Sequence, residues 1–272
     1  MVKLYYAFQD QEKLYLILEY AQGGELFHHL AETRMFSEDT ASYYIAQLVL
    51  ALSHLHLNVG VVYRDLKPEN CLLDADGQLL LTDFGLSKVS SEGSRCSSLL
   101  GTPGYMAPEV LTDDGSEYGA EVDWWGVGIL AFELLTGDLP FKGSTPQKVH
   151  AGILRRKLQL PSYLSNDAKD FINRLLRKEP QKRLGYNLAK DLPTIKKHRF
   201  FRKIDWTKLE ARELVPPIQP LVTDPLLAEN FDMEFTTQPL SPVICHAFPA
   251  PFTETRENPF GGFSFVATSL LE

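Results

Sequence analysis

Apolar residues recur along this chain with two different periods, and the switches between them mark its elements. Residues 3–8 and 13–19 read as two strands around a polar turn, Gln9-Asp10-Gln11-Glu12. Leu14-Tyr15-Leu16-Ile17-Leu18 is a continuous apolar run of buried-strand type. Gly23-Gly24 breaks the chain, and a short helix follows from Glu25 to Glu32. The His28-His29 pair within it reads as a solvated face, with no second ligand pair to make a metal site. Ser37-Glu38-Asp39-Thr40 opens a long helix. Ser37 or Asp39 can cap it, and acids in the first turn suit the helix dipole. Ala41, Tyr44, Ile45, Leu48, Leu52 and Leu55 keep helical spacing and form its core stripe. His54 and His56 near its end read as packing residues or partners of the C-terminal dipole.

Further on, Asp74-Ala75-Asp76-Gly77 begins like a calcium loop. Its Gly comes too early, and no Glu stands at the twelfth position. A hairpin turn between strands 71–74 and 78–82 accounts for it better. Residues 86–106 are rich in Ser and Gly without periodicity, which predicts a mobile segment. Glu121 to Thr136 is apolar nearly all round and predicts a central, buried helix whose Asp123 needs partners. Gly137-Asp138-Leu139-Pro140-Phe141 ends it, and amphipathic helices are expected near 146–156, 166–177 and 191–199. After about residue 204, Pro becomes frequent and no helix or strand pattern persists. That tail reads as either a docking segment or a disordered one.

Composition narrows the class. Of 272 residues 44% are hydrophobic, enough for a sizeable core in one large or two small domains. The net charge of −8 argues against nucleic acid or an anionic membrane as the main partner and mildly favours basic substrates. Cys71, Cys96 and Cys245 are odd in number and lack metal-ligand spacing, so they read as reduced thiols of the cytosol or nucleus. No apolar run approaches the ~18 residues of a membrane span. The first residues are neither a signal nor a transit peptide.

The chemistry concentrates in Val62 to Leu73, which holds Asp65, Lys67 and Asn70 on one short loop between apolar runs. Asp83-Phe84-Gly85 follows after Leu79-Leu80-Leu81, and Ala107-Pro108-Glu109 comes later. An amide and a carboxylate oxygen suit Mg²⁺, a hard cation. An ammonium between them suits a transferred phosphoryl group, and a further Asp can accept a hydroxyl proton.

In this order and spacing these motifs resemble the catalytic loop, DFG and APE of protein kinases. The chain resembles the AGC family of serine/threonine kinases, and within it the RSK-like branch of ribosomal S-six kinases. Tyr63 before Arg64-Asp65, Asn230-Phe231-Asp232 with Phe235-Thr236, and Phe260 to Phe265 carry that likeness. The resemblance implies an α+β, protein-kinase-like fold. Residues 1–201 would be the kinase domain, with a small-lobe remnant at 1–20, a hinge at 19–24 and a mostly helical large lobe at 25–201. Residues 202–272 would be the C-terminal extension. It implies ATP and Mg²⁺ as cofactors, Asp65 as catalytic base, Lys67 and Thr102 beside it, and Asn70 and Asp83 as metal ligands. Leu18, Glu19, Ala21, Glu25, Leu72 and Thr82 would line the nucleotide. Tyr63, Arg64, Phe84, Gly85, Asp123 and the pair Glu109–Arg183 would be structural. Glu25, Glu69 and Glu133 stand where the family reads arginines upstream of the acceptor, which implies protein substrates with Arg or Lys two and three residues before it. Ser98, Ser241 and Ser264 align with phosphorylation sites, the first facing an upstream phosphoinositide-dependent-type kinase. A phosphate among Ser90, Ser91, Ser94, Ser97 and Ser98 would add about −1.5 to −2 charges and order the segment against Arg64.

The chain also departs from the family. Gly-x-Gly-x-x-Gly occurs nowhere in it, and neither the strand Lys nor its helix Glu is present. The expectation is weak or absent turnover by these residues alone, either as a piece of an active kinase or as a short pseudokinase acting as a scaffold. The intact Asp65, Lys67, Asn70 and Asp83 favour the first, since a scaffold has no chemical need for all four. Leu99-Leu100, Gly104 and Cys71 are smaller departures.

Overall fold

A computed structural model describes residues 1–10, 13–89, 96, 101–112, 117–239 and 261–268. Strands β1 (Leu4–Gln9) and β2 (Leu14–Leu18) form the expected antiparallel hairpin, with Tyr6 opposite Ile17 and Phe8 opposite Tyr15. The Phe8 and Tyr15 rings stack at 4.8 Å, a cross-strand pair that fixes register. The Gly23-Gly24 break holds a short strand, β3 (Gly24–Glu25), before α1 (Leu26–Thr33). Helix α2 (Glu38–His54) is capped by Ser37, whose Oγ accepts from Thr40 N at 3.1 Å. Every residue of its predicted core stripe is buried. A π turn (Leu55–Val59) carries the chain into β4 (Val61–Val62), and a 3₁₀ turn (Pro68–Asn70) leads to β5 (Cys71–Leu73). Strand β6 (Leu79–Leu81) returns across the 74–77 turn, and β7 (Lys88–Val89) follows. The sheets run β3-β5-β6 and β4-β7.

The large helical layer is α3 (Pro108–Leu111), α4 (Glu121–Thr136), α5 (Pro146–Arg155), α6 (Asn166–Leu175), α7 (Leu188–Lys196) and α8 (Trp206–Glu210). Helix α4 has the predicted bounds. Among its residues only Glu133 and Thr136 are not buried, so it is the axis of the core. It ends at Gly137, whose φ of 73° closes the helix in the left-handed region. A short α9 (Met233–Thr236) and β8 (Phe265–Val266) complete the described residues, and β8 pairs antiparallel with β1 in the order β2-β1-β8.

Five expectations need correction. Leu14–Leu18 is not a buried strand: Leu14, Leu16, Ile17 and Leu18 are exposed, because β2 is an edge strand paired only with β1 among the described residues. His29 is buried rather than solvated, with Nε2 2.8 Å from Gly23 O, because α1 turns that face onto the Gly23-Gly24 break. The helix expected near 191–199 begins at Leu188, and the chain then makes a 3₁₀ turn at Arg199–Phe201. The segment expected to lack pattern carries β7, which pairs with β4, and a bridge between Cys96 and Tyr118. The region after 204 holds α8, α9 and β8. Asp205 caps α8, accepting from Thr207 N and Lys208 N, and its single turn is too short to show periodicity.

Candidate active site

The catalytic loop is held from below by Asp123. This buried carboxylate accepts Tyr63 N at 2.8 Å and Arg64 N at 2.7 Å, and lies 2.7 Å from His56 Nε2. Asp123 thus has the partners that its burial demands. His56 packs edge-on against Trp124, as one of the two expected readings had it, but it is also a polar partner of Asp123, which neither reading gave, and His54 is exposed. Arg64 takes a φ of 70°, a strained value for a residue with a side chain, and its Nε donates to Leu86 O at 2.6 Å. That turn directs Asp65 toward three partners. Lys67 Nζ stands 3.0 Å from Asp65 Oδ2, Asn70 Nδ2 donates to the same oxygen at 2.9 Å, and Thr102 Oγ1 donates to Oδ1 at 3.1 Å. Lys67 Nζ also reaches Thr102 Oγ1 at 3.5 Å. Residues far apart in sequence therefore converge as expected on Asp65, which is itself buried.

Asn70 gives its other amide hydrogen to Asp65 O at 2.8 Å, which directs its carbonyl oxygen away from that network. Asp83 has a φ of 55° and accepts Gly85 N at 3.1 Å. The residue before it is anchored through both backbone groups. Thr82 N donates to Asn70 O at 3.0 Å, and Tyr63 Oη donates to Thr82 O. The Tyr63 and Phe84 rings meet edge to face at 5.4 Å. An amide oxygen and a carboxylate form a hard oxygen donor set that fits Mg²⁺.

The three predicted substrate acids share one electrostatic neighbourhood. Glu25 titrates above its ordinary value, first through burial and next through repulsion by Glu69. Glu133 is likewise raised, first by burial and, among charges, by Glu69 and Asp138, while a hydrogen bond from Tyr105 opposes the shift. Tyr105 was not legible as a site residue, since it lies on an aperiodic stretch and its role depends on contact with α4.

On the nucleotide side, Glu19 donates its N–H to Lys3 O at 2.8 Å, so an adenine edge would meet its carbonyl rather than its N–H. Ala21 is buried, Leu72 lies on β5 opposite Glu25, and Leu18 is exposed. The tail covers this segment. Asn230 Nδ2 donates to Gln22 O and Leu221 O, each at 3.0 Å, and Phe231 stacks on Tyr20 at 6.1 Å. Gly24, at φ 74°, has no room for a side chain, because a Cβ there would stand 1.8 Å from Asn230 O.

Glu109 and Arg183 form a two-pronged pair at 2.5 and 2.8 Å. Arg183 also donates to Glu121 O at 2.9 Å and to Arg177 O at 3.1 Å. Ser264 is exposed just before β8. Ser98 and Ser241 lie outside the described residues, as do Phe260 and the other serines of the 90–98 stretch.

Comparison with known proteins agrees with this geometry. The protein kinase domain model matches residues 1–201, and the protein kinase C terminal domain model matches residues 222–265. The chain belongs to the protein kinase family, and its match to both models together is that of an AGC-type kinase. More particularly, it is similar to ribosomal protein S6 kinases. Ribosomal protein S6 kinase 2 beta of Xenopus laevis is 46% identical over 100% of this chain and 42% of its own length. Ribosomal protein S6 kinase alpha-1 of Homo sapiens is 45% identical over 100% of this chain and 36% of its own length. Ribosomal protein S6 kinase beta of Caenorhabditis elegans is 46% identical over 99% of this chain and 48% of its own length. The chain thus spans less than half the length of these curated relatives.

Proposed function

We propose that this chain is the catalytic part of a kinase that transfers the γ-phosphoryl group of ATP to Ser or Thr in protein segments that carry Arg or Lys two and three residues before the acceptor, with turnover by these residues alone weak or absent for want of a Gly-rich loop and strand Lys. The observation that carries the reading is the convergence of Lys67, Asn70 and Thr102 on the buried Asp65 carboxylate. Asp65 orients the acceptor hydroxyl and takes its proton, a modest demand when the transition state is loose. Lys67 offsets charge on the transferred group. Asn70 Oδ1 and the Asp83 carboxylate would hold Mg²⁺, which neutralises phosphate charge when bound. Leu18, Glu19, Ala21, Leu72 and Thr82 line the nucleotide side. Glu25, Glu69 and Glu133 receive the substrate guanidinium groups. Mutual repulsion in that trio favours a bound cation, and Tyr105 positions Glu133.

The same reading divides the chain into a kinase domain at 1–201 and an extension at 202–272. It takes Ser98, Ser241 and Ser264 as phosphate acceptors, Ser98 serving a phosphoinositide-dependent-type kinase. It places the protein in the cytoplasm or nucleus, supported by the free thiols of Cys71 and Cys96. No helix among the described residues is long and apolar enough to cross a membrane.

The test is phosphate incorporation into a Ser peptide with Arg at both upstream positions, in ATP and Mg²⁺, by a form that also carries a Gly-rich loop and strand Lys. Asp83→Ala should reduce the rate about a thousand-fold or more, since charge stabilisation is most of the catalysis. Replacing both peptide arginines by Ala should cost about ten-fold or more. Activity that survives Asp83→Ala overturns the metal assignment, and indifference to the arginines overturns the role of the three glutamates.

A further inference from the structure

Charge is spread unevenly along the chain. Of its 27 Lys and Arg residues 19 lie between residues 142 and 212, but only 6 of its 35 Asp and Glu residues do. That stretch folds as α5 to α8 with the turns between them. A cavity of about 540 Å³ opens there, walled by Asp170 and Arg174 of α6, by Arg177 and Lys182 in the turn after it, and by Asp191 of α7. Arg183 also lines it but is committed to Glu109. No other wall residue belongs to the candidate active site.

The cavity's own acids are occupied. Asp170 receives Arg174 Nε at 2.9 Å and lies 3.1 Å from His198 Nε2. Asp191 accepts Gly185 N at 3.0 Å and Asn187 N at 3.2 Å. The cations are less committed. Arg177 is exposed and has no carboxylate partner among the described residues. Among the described residues Lys182 meets only Glu179, in a pair exposed on both sides and therefore weak.

We propose that this cavity docks an acidic peptide segment of a partner protein, with a Glu or Asp side chain of that segment entering where Arg177 and Lys182 line the wall. Charge complementarity selects the sign of the occupant, and the rest of the chain selects its size. Outside residues 142–212 stand 29 acids against 8 cations. A duplex or an anionic bilayer extending beyond the basic stretch meets that repulsion. A short acidic segment stays within a Debye length of the cavity, about 8 Å at physiological ionic strength. Docking here is independent of the phosphoryl-transfer reading.

The test is fluorescence anisotropy of the 272-residue chain with a labelled peptide of alternating Glu and Gly. Binding is expected at low salt and should weaken as salt rises. The double variant Arg177→Glu, Lys182→Glu should lose about ten-fold or more in affinity. Lys148→Glu, Lys208→Glu makes the same charge change outside the cavity and should stay within about two-fold, the effect of a screened distant charge. Thermal unfolding checks that each variant is folded. Where the double reversal is not, Arg177→Gln takes its place, with a smaller loss expected. Absence of binding, equal losses in the two double variants, or no loss with Arg177→Gln overturns the proposal. So does tighter binding of duplex DNA or phosphatidylserine vesicles that Arg177→Glu abolishes.

Discussion

Three donors converge on the Asp123 carboxylate, and removing it strands all of them. Asp123→Ala should destabilise the chain by about 3–5 kcal/mol, the range for a buried charge site left half-empty. Chemical denaturation measures it, and a loss under about 1 kcal/mol would show that the loop is anchored elsewhere. Arg183→Leu should cost a similar ~3–5 kcal/mol by leaving Glu109 unpaired. Gly185 has a φ of 98° and lies against Trp124, where a Cβ would stand 2.3 Å from the indole. Gly185→Ala should therefore cost at least ~1–3 kcal/mol through overpacking alone. Glu25 and Glu133 behave differently with pH. Burial and repulsion raise their folded-state pKa above 4.5. Their contribution to stability is thus fully present below the unfolded value and is lost as pH rises through the folded one. Peptide binding needs them ionised, so affinity for the double-Arg peptide should fall on acidification at a pH above the ordinary glutamate range. A titration whose midpoint sits at about 4.5 or lower, near the reference glutamate value, would refute this.

Elements were legible in the sequence where they carry their own period or cap. Helix α4 announced itself because nearly every position is apolar, and α2 because Ser37 caps a regular stripe. The convergence of Lys67 and Asn70 on Asp65 was legible because residue type and order define that loop, whereas Thr102 lies outside it and was placed there only by the resemblance to the family. His29 was misread because only the path of the Gly23-Gly24 break shows what faces it. Strands β3, β7 and β8 have two residues each, too few for alternation to register, and they exist through their partners β5, β4 and β1. The tail was opaque for the same reason. Its order comes from contacts with distant segments, including Tyr43 Oη to Leu214 O at 3.3 Å, Ile218 N to Tyr44 Oη at 3.3 Å, and Asn230 to Gln22 O. Asn230→Ala should free the strap, raising hydrogen exchange at residues 20–24 with a stability loss of about 1–2 kcal/mol. Unchanged exchange there would mean that Phe231 and the prolines suffice.

At the scale of the molecule, β1 has two neighbours of very different origin. Strand β2 arrives within a few residues, whereas β8 is almost the last segment described. Residue 6 faces residue 17 on one side and residue 266 on the other. The first contact forms early and cheaply. The second closes a loop of nearly the whole chain, and such closures are slow. During synthesis on the ribosome the β1 edge, with Tyr6 and Phe8 exposed, therefore stays unpaired until nearly all of these residues have been made. An unpaired apolar edge is where chains stick to one another and where a chaperone would bind. Nascent chains of this sequence should thus stay prone to aggregate late into translation, even after completion of the helical layer, until Phe265 arrives.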